Sequence, residues 1–280
     1  MNFNDRDKHD IPLLRHPVDE ESAFTPQALI EAVRAEKGLT SVMVPEICVL
    51  EVDGDLTDRL VQSNTVKRWK TWACFHTPMF ALEVDGRHCG VVPRAIGGPL
   101  AVLVAEQLLA CGAKVVIGLT SAGRVSPQLS IPGLVIATAA IRDEGTSYHY
   151  LPPGNSVEAP LKLIPFLLAE LGPLGLPVHC GMVWTTDAPY RETAKELIMY
   201  SSEGVLAVEM QAASLFALAE ARKAEGANRC RGSRHQCHRS HRRAIQFGAQ
   251  PHRHLSIRTF PVGCSRAKVA PEWRSGAPAP

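Results

Sequence analysis

Nowhere in its 280 residues does the chain hold a run of eighteen or more apolar side chains, so no membrane-spanning helix is expected. Residues 1–15 are polar and mixed in charge. They lack the apolar stretch of a secretory signal, which makes a cytoplasmic protein the expectation. None of the eight cysteines (Cys48, Cys74, Cys89, Cys111, Cys180, Cys230, Cys237 and Cys264) stands in a C-x-x-C pair. Several lie in apolar stretches, as buried thiols of a reducing compartment do, and a disulfide framework is not expected in a chain this long. No internal repeat recurs at a fixed short period. The body carries no basic stripe interleaved with aromatics, so nucleic acid is not an expected partner.

What is present is ordinary for a soluble globular protein: 45% hydrophobic residues, enough for one large domain or two small ones. The net charge of +2 conceals an asymmetry. Residues 226–280 hold eleven Lys or Arg against a single acid, Glu272, so the rest of the chain is acidic. Three regions follow. Residues 1–24 form a polar arm, with Asp10-Ile11-Pro12-Leu13-Leu14 able to tack it to the body. Residues 25–225 form the body, and residues 226–280 a basic tail.

Within the body, apolar periodicity alternates between strand and helix. Thr25-Pro26 opens a helix that Gly38 ends. Residues 46–52 read as a strand followed by Asp53-Gly54-Asp55, and residues 60–72 as a short helix. Residues 80–84 and 88–92 read as a hairpin turning at Asp85-Gly86. Ala95-Ile96-Gly97-Gly98-Pro99 is a glycine turn into a helix over 100–111. Residues 114–119 are an almost wholly apolar strand, followed at once by Thr120-Ser121-Ala122-Gly123. Small residues there let a ligand approach the backbone. Residues 134–141 and 177–184 are further strands, 161–171 and 191–200 further helices. The alternation predicts an α/β fold with a parallel or mixed sheet.

After Glu225 the pattern breaks into Arg, His, Ser, Gly, Pro and Cys, a composition expected to be disordered. Two functional readings are an Arg-rich nucleic-acid arm and a metal site at Cys230, Cys237, His238 and His241. The latter spacing matches no common closed zinc site. A third reading is favoured: the tail is out of register with the gene, since a shifted frame in GC-rich coding DNA yields such a composition.

The chain is organised around Gly204-Val205-Leu206-Ala207-Val208-Glu209-Met210-Gln211, a buried strand running into a helix. Its junction admits two readings. Glu209 is a helix-capping acid, or Glu209, Met210 and Gln211 belong to a site at a strand end. Taken in order, Ala95-Ile96-Gly97-Gly98-Pro99, Ser121-Ala122-Gly123, the run from Val135 through Arg142-Asp143-Glu144-Gly145-Thr146-Ser147, and Val208-Glu209-Met210-Gln211-Ala212-Ala213 resemble the nucleoside phosphorylase family, of uridine phosphorylase and purine nucleoside phosphorylase type. The likeness runs from about Ile47 to Lys223.

This resemblance implies a three-layer α/β/α fold with a mixed central sheet that partly closes into a barrel. It implies homo-oligomers built from dimers, commonly hexamers. The implied reaction is phosphorolysis of a nucleoside, with inorganic phosphate as co-substrate and no metal or organic cofactor. Ser121 would bind phosphate, with Arg59 and Arg94 as candidate guanidinium partners. Ala122, Gly123, Tyr190, Arg191, Met210 and Gln211 would line the ribose and base, and Glu209 and Gln211 are the candidate catalytic residues. The chain also departs from the family pattern. Gly118 stands where the family has a phosphate Arg. Gln211 replaces a ribose-binding Glu, and Ala122 replaces a Thr or Cys. Leu56 follows Gly54-Asp55 where the family has Pro, with Arg59 displaced by one residue. A hydrolytic nucleosidase of the same fold and a degenerate, non-catalytic relative are the alternatives.

Overall fold

The computed structural model describes residues 11–232 and the backbone of 243–249. Its first regular element apart from a short 3-10 turn at Pro12–Leu14 is helix α1 (Pro26–Lys37). The Thr25 hydroxyl accepts the Ala28 N–H at 3.2 Å, and Gly38 closes the helix at φ 60°. There follow β1 (Ile47–Glu51), α2 (Asp55–Gln62), β2 (Val66–Arg68), β3 (Phe80–Val84), β4 (Arg87–Pro93), α3 (Gly98–Ala110), β5 (Val115–Ser121), β6 (Gly123–Arg124) and β7 (Leu134–Asp143). The remaining elements are β8 (Ser156–Glu158), α4 (Ile164–Leu171), β9 (Val178–Thr186), α5 (Ala194–Ser202), β10 (Ala207–Glu209), α6 (Ala212–Gly232) and β11 (Arg243–Ala249).

The helix expected over 60–72 lies earlier. Gly54, at φ 94°, turns the chain straight from β1 into α2, whose first turn carries Asp55 and Asp58. Asn64, at φ 52°, then releases it into the edge strand β2.

Ten strands form one path, β2-β3-β4-β1-β5-β11-β7-β9-β10-β6, with β8 added on β7. β4, β1, β5 and β11 run parallel to one another, as do β7, β9 and β10, whereas β3 on β4, β6 on β10, and the β11–β7 pair are antiparallel. The sheet is therefore mixed, and it does not close by hydrogen bonds: β2 and β6 are free ends of the path. It does curl. Only Ala122 separates β5 from β6, yet β6 pairs with β10 at the far end, so the strands between them must bend back toward β5.

Helices cover both faces. Neighbouring residues of β9 and β10 point to opposite sides. Val183 and Ala207 pack with Ala212, Ala213 and Phe216 of α6. Trp184 and Val208 pack with Leu197 and Tyr200 of α5. On the other half of the sheet, Cys48 and Leu50 of β1 and Val116 of β5 join Val104, Ala105 and Leu108 of α3 in a larger core. Helices α3 and α6 touch closely: a Cβ at Gly98 would lie 2.2 Å from the Ser214 hydroxyl, so any larger residue there must displace Ser214.

The polar arm contributes its 3-10 turn, which packs beside the turn Thr146–His149. At the other end described structure continues past Glu225, where the body is expected to end. Helix α6 continues to Gly232, and β11 pairs in the middle of the sheet with β5 on one side and β7 on the other. Without a strand in that position both neighbours would expose an edge. The candidate metal residues Cys237, His238 and His241, like most of the basic segment, lie outside the described residues.

Candidate active site

β1, β4 and β5 are adjacent and parallel, so their C-terminal ends lie side by side. In open α/β sheets such ends are where ligands bind. Ser121, the last residue of β5, donates its backbone N–H to Asp53 Oδ2 at 2.7 Å and its hydroxyl to Oδ1 at 2.9 Å. Next to Asp53, the Gly54 N–H donates to Glu51 Oε1 at 2.8 Å, and the Thr57 hydroxyl donates to Glu51 Oε2 at 3.1 Å. Burial pushes the Glu51 carboxyl up from its ordinary range, and these hydrogen bonds partly offset that shift. From the end of β4, Arg94 reaches over the same turn. Its backbone has φ 60°, its N–H donates to the Glu51 carbonyl at 2.7 Å, and its guanidinium meets Asp58 at 2.6 Å. A Cβ at Gly54 would lie 2.6 Å from Arg94 Cζ, so the guanidinium rests directly on a glycine. The Asp58 carboxylate holds the Arg94 guanidinium above its usual value, first through the hydrogen bond and then through its charge.

A second group gathers where β10 ends. The Glu209 carboxylate accepts the Gln211 N–H at 2.7 Å, the Ala212 N–H at 2.9 Å and the Thr185 hydroxyl at 2.5 Å. This arrangement matches the helix-cap reading: Glu209 starts α6 and ties it to β9, and the Thr185 oxygen also accepts the Ala213 N–H. The same cap fixes Gln211, which is 1% exposed. Its Nε2 donates to Thr120 Oγ1 at 3.4 Å. The Thr120 hydroxyl itself donates to the Ser121 carbonyl, so it receives the amide N–H, which sets the orientation of the amide. The other end, Gln211 Oε1, is buried without a partner. Met210, half-buried, lies between these two capped residues in sequence.

A third set stiffens the surroundings. Glu144, beyond β7, accepts the Ser147 N–H at 3.0 Å and the Ser214 hydroxyl at 2.6 Å, joining that loop to α6. The Arg142 guanidinium donates to the Ser147 hydroxyl and to the carbonyls of Leu151 and Pro152. Asp187, after β9, accepts the Gly145 N–H at 2.9 Å.

The structure thus brings Ser121 and Arg94 together through Asp53, Gly54 and Asp58, and brings Gln211 to Thr120, next to Ser121. Ala122 is buried between β5 and β6, and Gly123 abuts Val208. Arg59 lies exposed on α2. Tyr190 is wholly exposed and Arg191 exposed, on a 3-10 turn after β9 and outside the cluster. Sequence reasoning did not single out Asp53, Asp58 or Thr120, which bond Ser121, Arg94 and Gln211. The signal for the first was present in Asp53-Gly54-Asp55 directly after a strand. Asp58 shows none, because its role comes from Arg94, distant in sequence. Two surface hollows lie elsewhere, one beside Val125, Leu197 and Ile198, the other beside Trp69, Trp72 and Phe75. Among the described residues no group of three or more His, Cys, Asp or Glu side chains is placed to hold a metal ion. No described helix is long and apolar enough to cross a membrane.

A curled mixed sheet with helices on both faces and polar loops at its strand ends defines an α/β protein. Residues 46–233 match the family model of the phosphorylase superfamily, and the chain belongs to that superfamily. It is similar to the guanosine phosphorylase of Halorubrum lacusprofundi, 30% identical over 141 residues that cover 48% of this chain and 56% of that protein. Over 108 residues it is 34% identical to the uridine phosphorylase of Thermococcus kodakarensis, covering 39% of each. It is 22% identical to the Escherichia coli uridine phosphorylase over 197 residues, covering 65% of this chain and 75% of that one. The matched stretch thus spans about half or less of the first two relatives. Among solved structures, the uridine phosphorylase of Vibrio fischeri ES114 superposes with a TM-score of 0.62 at 19% identity, over 82% of this chain and 86% of that one, and shares the fold.

Proposed function

We propose that the chain catalyses reversible phosphorolysis of a nucleoside, with a uridine-like substrate favoured, in nucleoside salvage or catabolism. A phosphate oxygen bonds to the anomeric carbon as the N-glycosidic bond breaks. The base leaves with the electron pair and takes up a proton, and ribose 1-phosphate remains. Positive charge builds on the ribose in the transition state, and an anion held beside it stabilises that charge. Inorganic phosphate is the co-substrate, and no metal or organic cofactor enters.

One observation carries the reading: Ser121 and Arg94 converge on the Asp53-Gly54 turn, while Gln211 reaches Thr120 next to Ser121. In this proposal Ser121 and Arg94, with Arg59 nearby on α2, hold phosphate. Gln211 accepts from a ribose hydroxyl through the oxygen that lacks a partner, Met210 packs on the sugar, and Ala122 and Gly123 line the pocket. Tyr190 and Arg191 belong to the base side, and Glu209 acts by holding Gln211 in place. A homo-oligomer built from dimers, up to a hexamer, completes the proposal, supported by the exposed apolar side chains Phe166, Ile198 and Tyr190. Sedimentation of the purified protein tests that assembly: a monomer at all concentrations rejects it.

The test of the reaction is incubation with uridine, inosine and methylthioadenosine, with and without phosphate. Release of base and ribose 1-phosphate only with phosphate supports phosphorolysis. A second reading, hydrolysis by the same site, is favoured by Gly118 in place of a phosphate Arg. Base release at the same rate without phosphate would support it. No release of any base by folded protein rejects both and favours a non-catalytic relative.

A further inference from the structure

The donors that would cradle an anion are already engaged, and by carboxylates of the chain itself. Both donors of Ser121, its N–H and its O–H, point at the two oxygens of Asp53. The Arg94 guanidinium is held by Asp58. The Gly54 N–H is turned away to Glu51, and its Cα faces the guanidinium instead. A carboxylate bridging a backbone N–H and a hydroxyl presents the same pair of oxygens that a phosphate would.

We infer that Asp53 and Asp58 are internal competitors for the phosphate subsite, and that they set how tightly this chain takes its anionic co-substrate. The inference rests on the phosphorolysis reading for the identity of the anion. Phosphate enters by displacing Asp53 from Ser121 and Asp58 from Arg94. Both displacements are feasible. Asp53 is exposed, and the Arg94 and Asp58 side chains are 56% and 49% exposed, where an ion pair is held weakly against solvent. Glu51 is different. It is 3% exposed, bonded to Thr57 as well as Gly54, and stays in place as the support of the turn. The two aspartates therefore act as a brake on phosphate affinity and, through it, on the choice between phosphate and water as nucleophile.

Phosphate binding by Asp53→Asn, Asp58→Asn and the double variant, measured by titration calorimetry at low ionic strength, tests this without requiring turnover. Removing one like charge near the anion is expected to tighten binding about fivefold, and the pair more. Glu83→Gln, an exposed acid on β3, is the charge control and is expected to change nothing. Adding Ser121→Ala and Arg94→Gln to the double variant is expected to abolish the gain. Thermal melts establish that each variant is folded. Aspartate variants that bind no tighter than the parent overturn the inference, as does an equal gain from Glu83→Gln. Phosphate-dependent base release with no gain in the variants rejects the inference and keeps the proposed reaction. Tighter phosphate binding with no release from any nucleoside rejects the reaction and keeps the inference.

Discussion

In the proposed reaction a single amide decides how the sugar is held. Gln211 spends its N–H on Thr120 and keeps one buried oxygen as acceptor. In the proposed reaction a carboxylate at that position would accept from two sugar hydroxyls and more strongly. Gln211→Glu is therefore expected to raise kcat/KM on uridine by about tenfold, the effect of one charge-assisted hydrogen bond. It is also expected to lower Tm slightly, because an empty site then buries a charge. Steady-state rates with phosphate saturating, beside a melting curve, check both. Unchanged or lower activity in a folded variant counts against Gln211 as a sugar contact. The sequence made Gln211 visible through its place after Glu209-Met210, but not its orphaned oxygen, since Thr120 is ninety-one positions away. It also left Glu209 between two roles. Only the distances to Ala212 and Thr185 assign it to the helix start.

Elements are held in register by contacts that periodicity marks only in part. The boundaries of α1, the hairpin and β5 were legible because local chemistry dictates them: a Thr-Pro start, an Asp-Gly turn, an apolar run. The start of α2 was not, because it depends on Gly54 adopting φ 94° under Arg94. The approach of α3 to α6 was hidden as well. Gly98→Ala places a methyl group 2.2 Å from the Ser214 hydroxyl, which is itself tied to Glu144. Denaturant unfolding is expected to show a loss of about 1–3 kcal/mol, the usual cost of overpacking. A loss below about 0.5 kcal/mol would mean that the helices part freely.

The arm makes an element-scale prediction about pH. His16 and His149 stack with ring centroids 3.8 Å apart. Burial first, and then the neighbouring His16, hold His149 below its ordinary value of 6.5, while Glu144 opposes the shift. A lowered histidine pKa means that the folded state takes up its proton later than the unfolded chain. The stabilisation is present above pH 6.5 and is lost as pH falls through the folded value. Protection factors for hydrogen exchange across residues 11–20, which divide out the intrinsic pH dependence of the rate, are expected to fall between about pH 7.5 and pH 5.5, the range where histidine titrates. His149→Gln is expected to remove that pH dependence. Equal protection factors at both pH values in the parent chain would show that the pair does not hold the arm.

At the scale of the whole molecule, the α/β alternation and the mixed sheet followed from the order of apolar runs, whereas the use made of the basic segment did not. Composition after Glu225 argued for an end to the body, yet residues 243–249, Arg-Ala-Ile-Gln-Phe-Gly-Ala, occupy the centre of the strand path. A seven-residue strand is easily lost among arginines and histidines, because averaging over the segment erases a short apolar alternation. Its position makes truncation after Glu225 a sharp test. The cut removes the end of α6 and leaves β5 and β7 with open edges in the middle of the sheet. The truncated chain is expected to aggregate or to lose cooperative unfolding, whereas the full chain melts in one transition. A soluble, cooperatively folded 1–225 fragment would show that β11 is dispensable and would place the end of the body at Glu225. We further propose that the basic segment derives from a shifted reading frame. A version with the frame restored is then expected to melt higher than this chain, since the strand and final helix that the family resemblance implies would replace it. Equal or lower stability of the restored form would mean that this sheet has come to depend on the strand it now has.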